Sequence, residues 1–156
     1  MQHKGIIIYY SYGGNTKQIA NMIKEQTNFE LLELTPKVPY TTNYQQLVDD
    51  EEEKMNTKEI IEINDIDIEF NDYDKIIIGT PVWWYSMSPV IRSFLEKKNL
   101  PNKKVDIFIT NGGWLGHTVE DFEEYLPINS YIDIKFNGND LETPKEEIKN
   151  WIYKLQ

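Results

Sequence analysis

The 156-residue sequence contains no cysteine, and this absence excludes several kinds of chemistry. Disulfide bonds, thiol nucleophiles and iron–sulfur or cysteine–zinc sites all require that residue. Histidine is scarce as well, because His3 and His117 are the only two in the chain. Two imidazoles leave little for a metal site. We therefore expect neither a metal centre nor thiol catalysis.

Long apolar runs and positive charge are also in short supply. The apolar run in the N-terminal stretch MQHKGIIIYY is too short for a signal peptide. No apolar run in the sequence approaches the length of a membrane span. The chain has 16 Lys and Arg against 26 Asp and Glu, which gives a net charge of −10. Because phosphate backbones attract Lys and Arg, we expect no nucleic-acid partner. The sequence predicts a soluble, cytoplasmic protein.

Short apolar runs rich in Ile and Val are what the sequence does contain. Near-continuous runs of this kind are typical of parallel strands that are covered on both faces. The five predicted strands span residues 5–10, 29–35, 75–80, 104–110 and 130–136. Helical patterns lie between them, so the order predicts an α/β doubly wound fold. The length predicts a single domain over residues 1–156.

Several predicted helices carry cap signals at their starts. Ser88 and Thr143, each followed by proline, predict two of these starts. Thr118, followed three residues later by an aspartate, resembles a capping box. The first helix is predicted to be capped by Asn15 or Thr16.

The stretch from residue 36 to residue 74 is harder to assign. Part of it has helical periodicity, with apolar positions at Tyr44, Leu47, Val48 and Met55. The acidic run 49–53 is predicted to form the solvated face of that helix. Residues 59–70 alternate in their second half, which is compatible with extended chain, and the sequence leaves their structure open.

In an open α/β sheet, ligands bind beyond the carboxyl ends of the strands, so the loops there form the candidate site. The first loop consists of Ser11, Tyr12, Gly13, Gly14, Asn15 and Thr16. Glycine lets backbone N–H groups approach an oxyanion closely, and the following helix contributes a positive dipole end. Its spacing matches neither a nucleotide-triphosphate loop nor a dinucleotide fingerprint. A phosphate site is one interpretation, and a tight strand-to-helix turn is the other.

The second loop gathers large aromatic side chains at the end of a strand. It consists of Pro81, Val82, Trp83, Trp84 and Tyr85. Consecutive side chains point in different directions, so a shared place in the core is a poor explanation for all three aromatic residues. Their position favours a stacking wall for a flat ligand. In the alternative, one tryptophan plugs the core and another makes a surface or dimer contact.

The third loop is rich in glycine. It contains Thr110, Asn111, Gly112, Gly113, Trp114 and Gly116. Its glycines permit close approach of the backbone to the polar edge of a flat ring, unless the segment is simply a long turn before a helix. His117, which follows, is predicted to be a surface or capping residue rather than an acid–base group. A phosphate joined to an aromatic heterocycle fits the three loops, and FMN is the obvious candidate.

The sequence also resembles the short-chain bacterial flavodoxins over nearly its whole length. Residues 9–20 resemble the family's phosphate loop, residues 72–96 its central strand and flavin loop, and residues 108–116 its second flavin loop. The resemblance implies a three-layer sandwich with a five-stranded parallel sheet of order 2-1-3-4-5, and non-covalent FMN at the switch in strand order, which is the family's known placement. It also implies that the first loop holds the phosphate, that the second flanks the isoalloxazine, and that the third lines the pyrimidine edge.

Two departures from the family pattern carry expectations. Gly13 stands where the family usually has threonine, so one hydroxyl donor to the phosphate is missing, and Gly13→Thr is expected to tighten FMN binding. The second loop has no glycine, so the peptide flip of electron-carrier flavodoxins would be strained.

The resemblance leaves two functions open, neither of which needs a catalytic residue of the chain. The first is an FMN electron carrier, whose acidic surface docks to redox proteins with basic surfaces. The second is an FMN-dependent NAD(P)H oxidoreductase that acts on quinones or similar acceptors. A flavin-free binding module with the same fold is a third reading. The sequence is compatible with a monomer or a homodimer.

Overall fold

The computed structural model describes residues 4–52, 54, 58–98, 100 and 103–156. Its strands are β1 (Gly5–Tyr9), β2 (Glu30–Glu33), β3 (Lys75–Trp83), β4 (Ser86–Met87), β5 (Val105–Asn111), β6 (Ile128–Asn137) and β7 (Asp140–Leu141). Its helices are α1 (Asn15–Thr27), α2 (Tyr44–Glu52), α3 (Pro89–Lys97), α4 (Thr118–Glu123) and α5 (Lys145–Leu155), with a 3₁₀ turn at Phe70–Asp72. None of the helices in these ranges is long and apolar enough to cross a membrane.

The five long strands form a parallel sheet in the order β2-β1-β3-β5-β6. Counted among themselves in chain order, they give the predicted 2-1-3-4-5 arrangement, which is confirmed. Two short strands are additions: β4 pairs antiparallel with β3, and β7 pairs antiparallel with β6. The strand order reverses between β1 and β3, which are parallel neighbours. The loops that follow these two strands therefore begin side by side at the carboxyl edge of the sheet.

Apolar layers cover both faces of the sheet, which explains why its strands read as continuous apolar runs. Successive side chains of a strand point to opposite faces. In β1, Ile6 and Ile8 pack in the layer that contains α3 and α4, whereas Ile7 and Tyr9 pack in the layer that contains α1 and α5. The α/β three-layer architecture is therefore confirmed.

The predicted caps have a mixed outcome. Ser88 caps α3 as expected, because its hydroxyl accepts a hydrogen bond from the Ile91 N–H at 3.3 Å. The capping box at Thr118 is wrong: its hydroxyl donates instead to the carbonyl of Leu115 at 2.6 Å. Thr143 does not cap α5 either, since its hydroxyl accepts from the Lys135 N–H at 2.7 Å.

The start of α1 also differs from the prediction. The N-cap residue is Gly14, with a φ of 99°, and no side chain caps the helix end. Asn15 and Thr16 lie inside the helix, because the two glycines turn the chain sharply enough for the helix to begin one residue earlier than a side-chain cap would require. The predicted caps at both positions are wrong.

The segment between β2 and β3 contains α2 and little other regular structure. Residues 59–70 form no strand; Ile63 makes one isolated bridge to Pro36 and packs in the core. The acidic run is solvated at Asp49 and Asp50, but the prediction is wrong at Glu51, which is only 4% exposed. Glu51 stands one helical turn after the buried Leu47, and so shares its inward face. Glu53 and Met55 lie outside the described residues.

Candidate functional site

The three predicted loops meet at the carboxyl edge of β1, β3 and β5. The Thr16 and Thr110 hydroxyl oxygens, from the first and third loops, lie 2.7 Å apart. The rings of Tyr12 and Trp83, from the first and second loops, have centroids 6.0 Å apart. The third and second loops are joined by a hydrogen bond from the residue after Gly116 to the carbonyl of Tyr85. The structure thus brings all three together.

The first loop presents backbone N–H groups beside open space. Gly13 and Gly14 have φ values of 83° and 99°, and a Cβ built on either would meet no atom within 4 Å. No hydrogen bond in the described part of the chain uses the backbone N–H groups of residues 13–16. Successive free N–H groups at a helix start form a concave anion-binding nest. The loop can therefore hold a phosphate through its backbone.

The side chains of the first loop are mostly engaged elsewhere. The Ser11 hydroxyl accepts from the Lys17 N–H at 3.1 Å, and Tyr12 donates to the carbonyl of Thr41 at 2.6 Å. The amide of Asn15 donates to the carbonyl of Gly138 at 2.9 Å. These bonds fix the shape of the loop and leave the anion to the main chain.

The conformation of Gly13 opposes the expected effect of a threonine there. At a φ of 83° a β-branched residue is strongly disfavoured. Threonine would add a hydroxyl at this position but would distort the nest of backbone N–H groups, through which the loop can bind an anion. The backbone conformation at position 13 favours glycine over threonine.

The second loop ends in a two-residue β-hairpin turn, and its first three residues lie in β3. β3 extends to Trp83, three residues beyond the predicted strand, and pairs with β4 through Trp83 and Ser86. The two connecting residues, Trp84 and Tyr85, have φ values of 49° and 68°. Such turns normally use Asn and Gly, because both central positions need positive φ. Bulky residues there cost on the order of 1–2 kcal/mol each, so the turn is strained and its surroundings must hold it.

The third loop holds this turn through its main chain. The backbone N–H of His117 donates to the carbonyl of Tyr85 at 2.7 Å. A Cβ on Gly116 would collide with that same carbonyl oxygen, and Gly116 also has a φ of 62°. Both facts require glycine at position 116, since only glycine lets the two loops approach this closely.

A polar cluster lies next to the hairpin; Ser86, Arg92 and Asp121 are buried in it, whereas His117 is exposed. One carboxylate oxygen of Asp121 accepts a hydrogen bond from the Ser86 hydroxyl and lies 2.7 Å from Nδ1 of His117. The Arg92 guanidinium donates to the Ser86 hydroxyl at 3.0 Å and lies 3.7 Å from the same carboxylate oxygen. Its other nitrogen donates to the Tyr125 hydroxyl at 3.3 Å. Ser86, His117 and Arg92 therefore each contact the Asp121 carboxylate.

The carboxyl of Asp121 has a lowered pKa. Burial by itself would raise the pKa of Asp121, but the hydrogen bonds from Ser86 and His117 and the positive charge of Arg92 outweigh it and lower that pKa. Sequence reasoning misses Ser86, Arg92 and Asp121 as site residues. The His117–Asp121 spacing of i, i+4 is the signal that would have found part of the cluster.

The aromatic residues of the second loop divide between the interior and the surface. Trp83 packs inward against Tyr10, Tyr12 and Tyr40, with ring centroids 6.0, 6.0 and 5.0 Å away. Trp83 is half-buried and packs against the core, which is near to the alternative in which one tryptophan plugs the core. Tyr85 is 48% exposed, and a ligand could reach it.

The exposed aromatic wall is completed by the third loop. Trp114 is 64% exposed, and its ring centroid lies 5.0 Å from that of Tyr85. Next to it, Gly112 and Gly113 are exposed, and a Cβ built on either would meet nothing within 4 Å. Asn111 shapes this segment, because its side-chain oxygen accepts from the Gly113 N–H at 2.9 Å while its amide donates to Asp133 at 2.6 Å. The result is an exposed aromatic pair, with the two rings tilted by 52° to each other, beside open main chain.

A small cavity of about 140 Å³ lies behind Trp83 and Trp84. Glu51 lines it, with its carboxylate 3.5 Å from the Lys54 ammonium, which is also 3.5 Å from Glu59. Burial and the nearby negative charge of Glu59 raise the pKa of Glu51, and Lys54 offsets them only in part. No group of His, Asp and Glu in the described ranges has the geometry to hold a metal ion.

Comparison with known proteins agrees with this architecture. Residues 4–155 match the sequence model of a family described as flavodoxin. A crystal structure from Bacteroides eggerthii DSM 20697 is similar in fold, with a TM-score of 0.78 and 22% identity over 99% of this chain and 98% of that one. Among curated proteins, none matches the sequence.

Two further solved structures are similar to this chain. A flavoprotein in complex with FMN from Lactobacillus acidophilus NCFM has a TM-score of 0.72 and 27% identity, over 84% of this chain and 93% of that one. The Trp repressor binding protein from Bacillus subtilis has a TM-score of 0.59 and 14% identity, over 98% of this chain and 100% of that one. The second likeness extends to the fold alone.

Proposed function

Because the chain belongs to the flavodoxin family, we propose that it binds FMN non-covalently between the three loops and carries electrons between redox proteins. The observation that carries the proposal is the meeting of a backbone nest, an exposed aromatic wall and an open glycine main chain at one sheet edge. FMN has a phosphate, a flat ring and a polar ring edge, and each has a counterpart there.

The residues then take the following roles. The N–H groups of residues 13–16 hold the phosphate, within the first loop of residues 11–16. Residues 81–85 flank the isoalloxazine, with Trp84 and Tyr85 as the closest candidates. Residues 110–114 and Gly116 line its pyrimidine edge. When bound, FMN supplies the redox chemistry, and the chain supplies binding, orientation and electrostatics.

The charge of the chain favours a carrier over an enzyme. A net charge of −10 suits docking to a redox protein with a basic surface, and it would steer the encounter. Neither function needs an acid–base group of the chain at the ring, and the imidazole of His117 is engaged with Asp121.

Titration of the apoprotein with FMN and, separately, with riboflavin tests the binding proposal. The two flavins share the ring and differ in the phosphate, so a nest that holds phosphate predicts a much tighter complex with FMN. Equal affinities would show that the first loop does not hold the phosphate. If neither flavin changed its fluorescence, flavin binding would be rejected and a binding module without flavin would be favoured.

Reduction experiments on the FMN complex test the carrier role. A carrier is expected to be reduced by a flavodoxin or ferredoxin reductase and to stay oxidised when mixed with NADPH alone in a stopped-flow instrument. Rapid reduction by NADPH alone, followed by reoxidation with a quinone, would instead establish an NAD(P)H oxidoreductase.

A further inference from the structure

The strained Trp84–Tyr85 turn needs an anchor that the second loop does not itself contain. Two consecutive bulky residues with positive φ persist only where the surrounding structure over-determines them. One restraint is the hydrogen bond from the His117 N–H to the Tyr85 carbonyl. A second acts at the base of the hairpin, where Ser86 follows the turn.

Both restraints lead to Asp121. One oxygen of its carboxylate contacts the Ser86 hydroxyl and the His117 imidazole. Ser86 directly follows the turn, and the backbone N–H of His117 donates to it, so Asp121 contacts both residues that restrain the turn. Arg92, from α3, contacts the same two groups, Ser86 and Asp121. Asp121, Ser86 and Arg92 are buried, so water competes little for the bonds among them, whereas the His117 side chain is exposed.

We propose that Asp121 is a positioning residue for the second loop: its carboxylate holds Ser86 and His117 so that the Trp84–Tyr85 turn keeps the left-handed conformation that receives the ring of the cofactor. The last step rests on the proposed function, whereas the anchoring of the turn does not. The lowered pKa of Asp121 supports the role, because an ionised carboxylate can accept all of these bonds together.

The groups around the cluster are consistent with this assignment. Arg92 from α3 lies 3.7 Å from the carboxylate and offsets its charge. Glu51, Lys54 and Glu59 line the same cavity as Asp121. Lys54 and the two glutamates form their own ion pairs. Asp121 is therefore the acceptor shared by both restraints on the turn.

The test compares Asp121→Asn with Glu120→Gln. Both remove one negative charge from the first turn of α4, but Glu120 is exposed and Asp121 is buried. Two quantities are measured on folded protein: the dissociation constant for FMN, and hydrogen exchange of the His117 amide by NMR. We expect Asp121→Asn to weaken FMN binding about tenfold or more and to lower protection of that amide by a similar factor. Glu120→Gln should change neither by more than about twofold.

A second pair of variants separates positioning from a general loss of stability. Glycine accepts positive φ without strain, so a turn that carries Tyr85→Gly depends less on its anchor. In that background, adding Asp121→Asn should weaken FMN binding by less than about threefold. Ser86→Ala removes the hydrogen bond to Asp121 without changing any charge. It should reproduce part of the loss of FMN binding that Asp121→Asn causes.

Each result decides the proposal. Equal effects of Asp121→Asn and Glu120→Gln would overturn it, as would an Asp121→Asn effect that is undiminished beside Tyr85→Gly. If the wild-type protein binds no FMN, the proposed function fails, but the exchange of the His117 amide still tests the anchor. An amide equally protected in wild type and Asp121→Asn would then reject it.

Discussion

The hydroxyl oxygens of Thr16 and Thr110 lie 2.7 Å apart in the interior, although 94 positions separate the two residues in the chain. This bond joins the first turn of α1 to the end of β5, and thus the first loop to the third. Thr110→Val leaves the buried Thr16 hydroxyl without a partner, which should lower the free energy of unfolding by about 1–3 kcal/mol. Urea unfolding measures the change.

A double-mutant cycle makes this prediction specific. Thr16→Val with Thr110→Val removes both hydroxyls, so the pair should cost less than the sum of the single variants. Thr42→Val, at an exposed threonine, is the control and should stay within about 0.5 kcal/mol of wild type. Strict additivity of the two buried variants would show that the bond does not couple the loops.

Gly116→Ala should separate the second and third loops. The new Cβ would collide with the Tyr85 carbonyl, so the hydrogen bond from His117 could not form as it does now. We expect a loss of about 2–4 kcal/mol in the free energy of unfolding. Gly138→Ala is the matched control, because Gly138 has nearly the same φ, 60°, with no atom within 4 Å of the built Cβ. Its loss should be limited to about 1–2 kcal/mol, and similar losses for the two variants would contradict the collision.

Gly13→Thr should weaken FMN binding, in contrast to what the sequence alone leads us to expect. The φ of 83° is incompatible with a β-branched residue, so the nest of N–H groups would distort. We expect about a tenfold rise in the dissociation constant, measured by fluorescence titration. Gly13→Asn should be milder, because asparagine tolerates positive φ better. A Gly13→Thr complex as tight as wild type would mean that the loop does not hold phosphate through its backbone.

Much of the fold can be predicted from the sequence because burial on both faces leaves a clear signal. Ile6, Ile7 and Ile8 point alternately to the two apolar layers, and so they appear as one continuous run. The strand order came from the family resemblance rather than from periodicity. The short strand β4 could not be foreseen, because two residues show no period and Trp-Tyr is not a hairpin signal.

The site was only partly predictable for a related reason. Its three loops follow apolar strands, so their positions could be read from the sequence. Some of the side chains that shape them come from elsewhere: Tyr40 lies in a segment without periodicity, and Asp121 lies on a helix whose first turn resembles a capping box. Such contacts between distant residues leave no local pattern.

Glu51→Gln should stabilise the protein increasingly as the pH rises. The pKa of Glu51 is raised in the folded state from its ordinary value of 4.5, by burial first and by Glu59 next. A group with a raised folded pKa contributes stability that is fully present below the unfolded pKa and is lost as the pH rises through the folded pKa. Glutamine cannot ionise, so the variant avoids this loss.

The prediction is checked by urea unfolding of both proteins at pH 4, 6 and 8. The free energy of unfolding of Glu51→Gln, relative to wild type, should be more favourable at pH 8 than at pH 4. Glu52→Gln controls for the change in net charge, because Glu52 is the exposed neighbour on the same helix. If the wild-type and Glu51→Gln curves stay parallel across this range, the ion pair with Lys54 fully offsets the burial of Glu51.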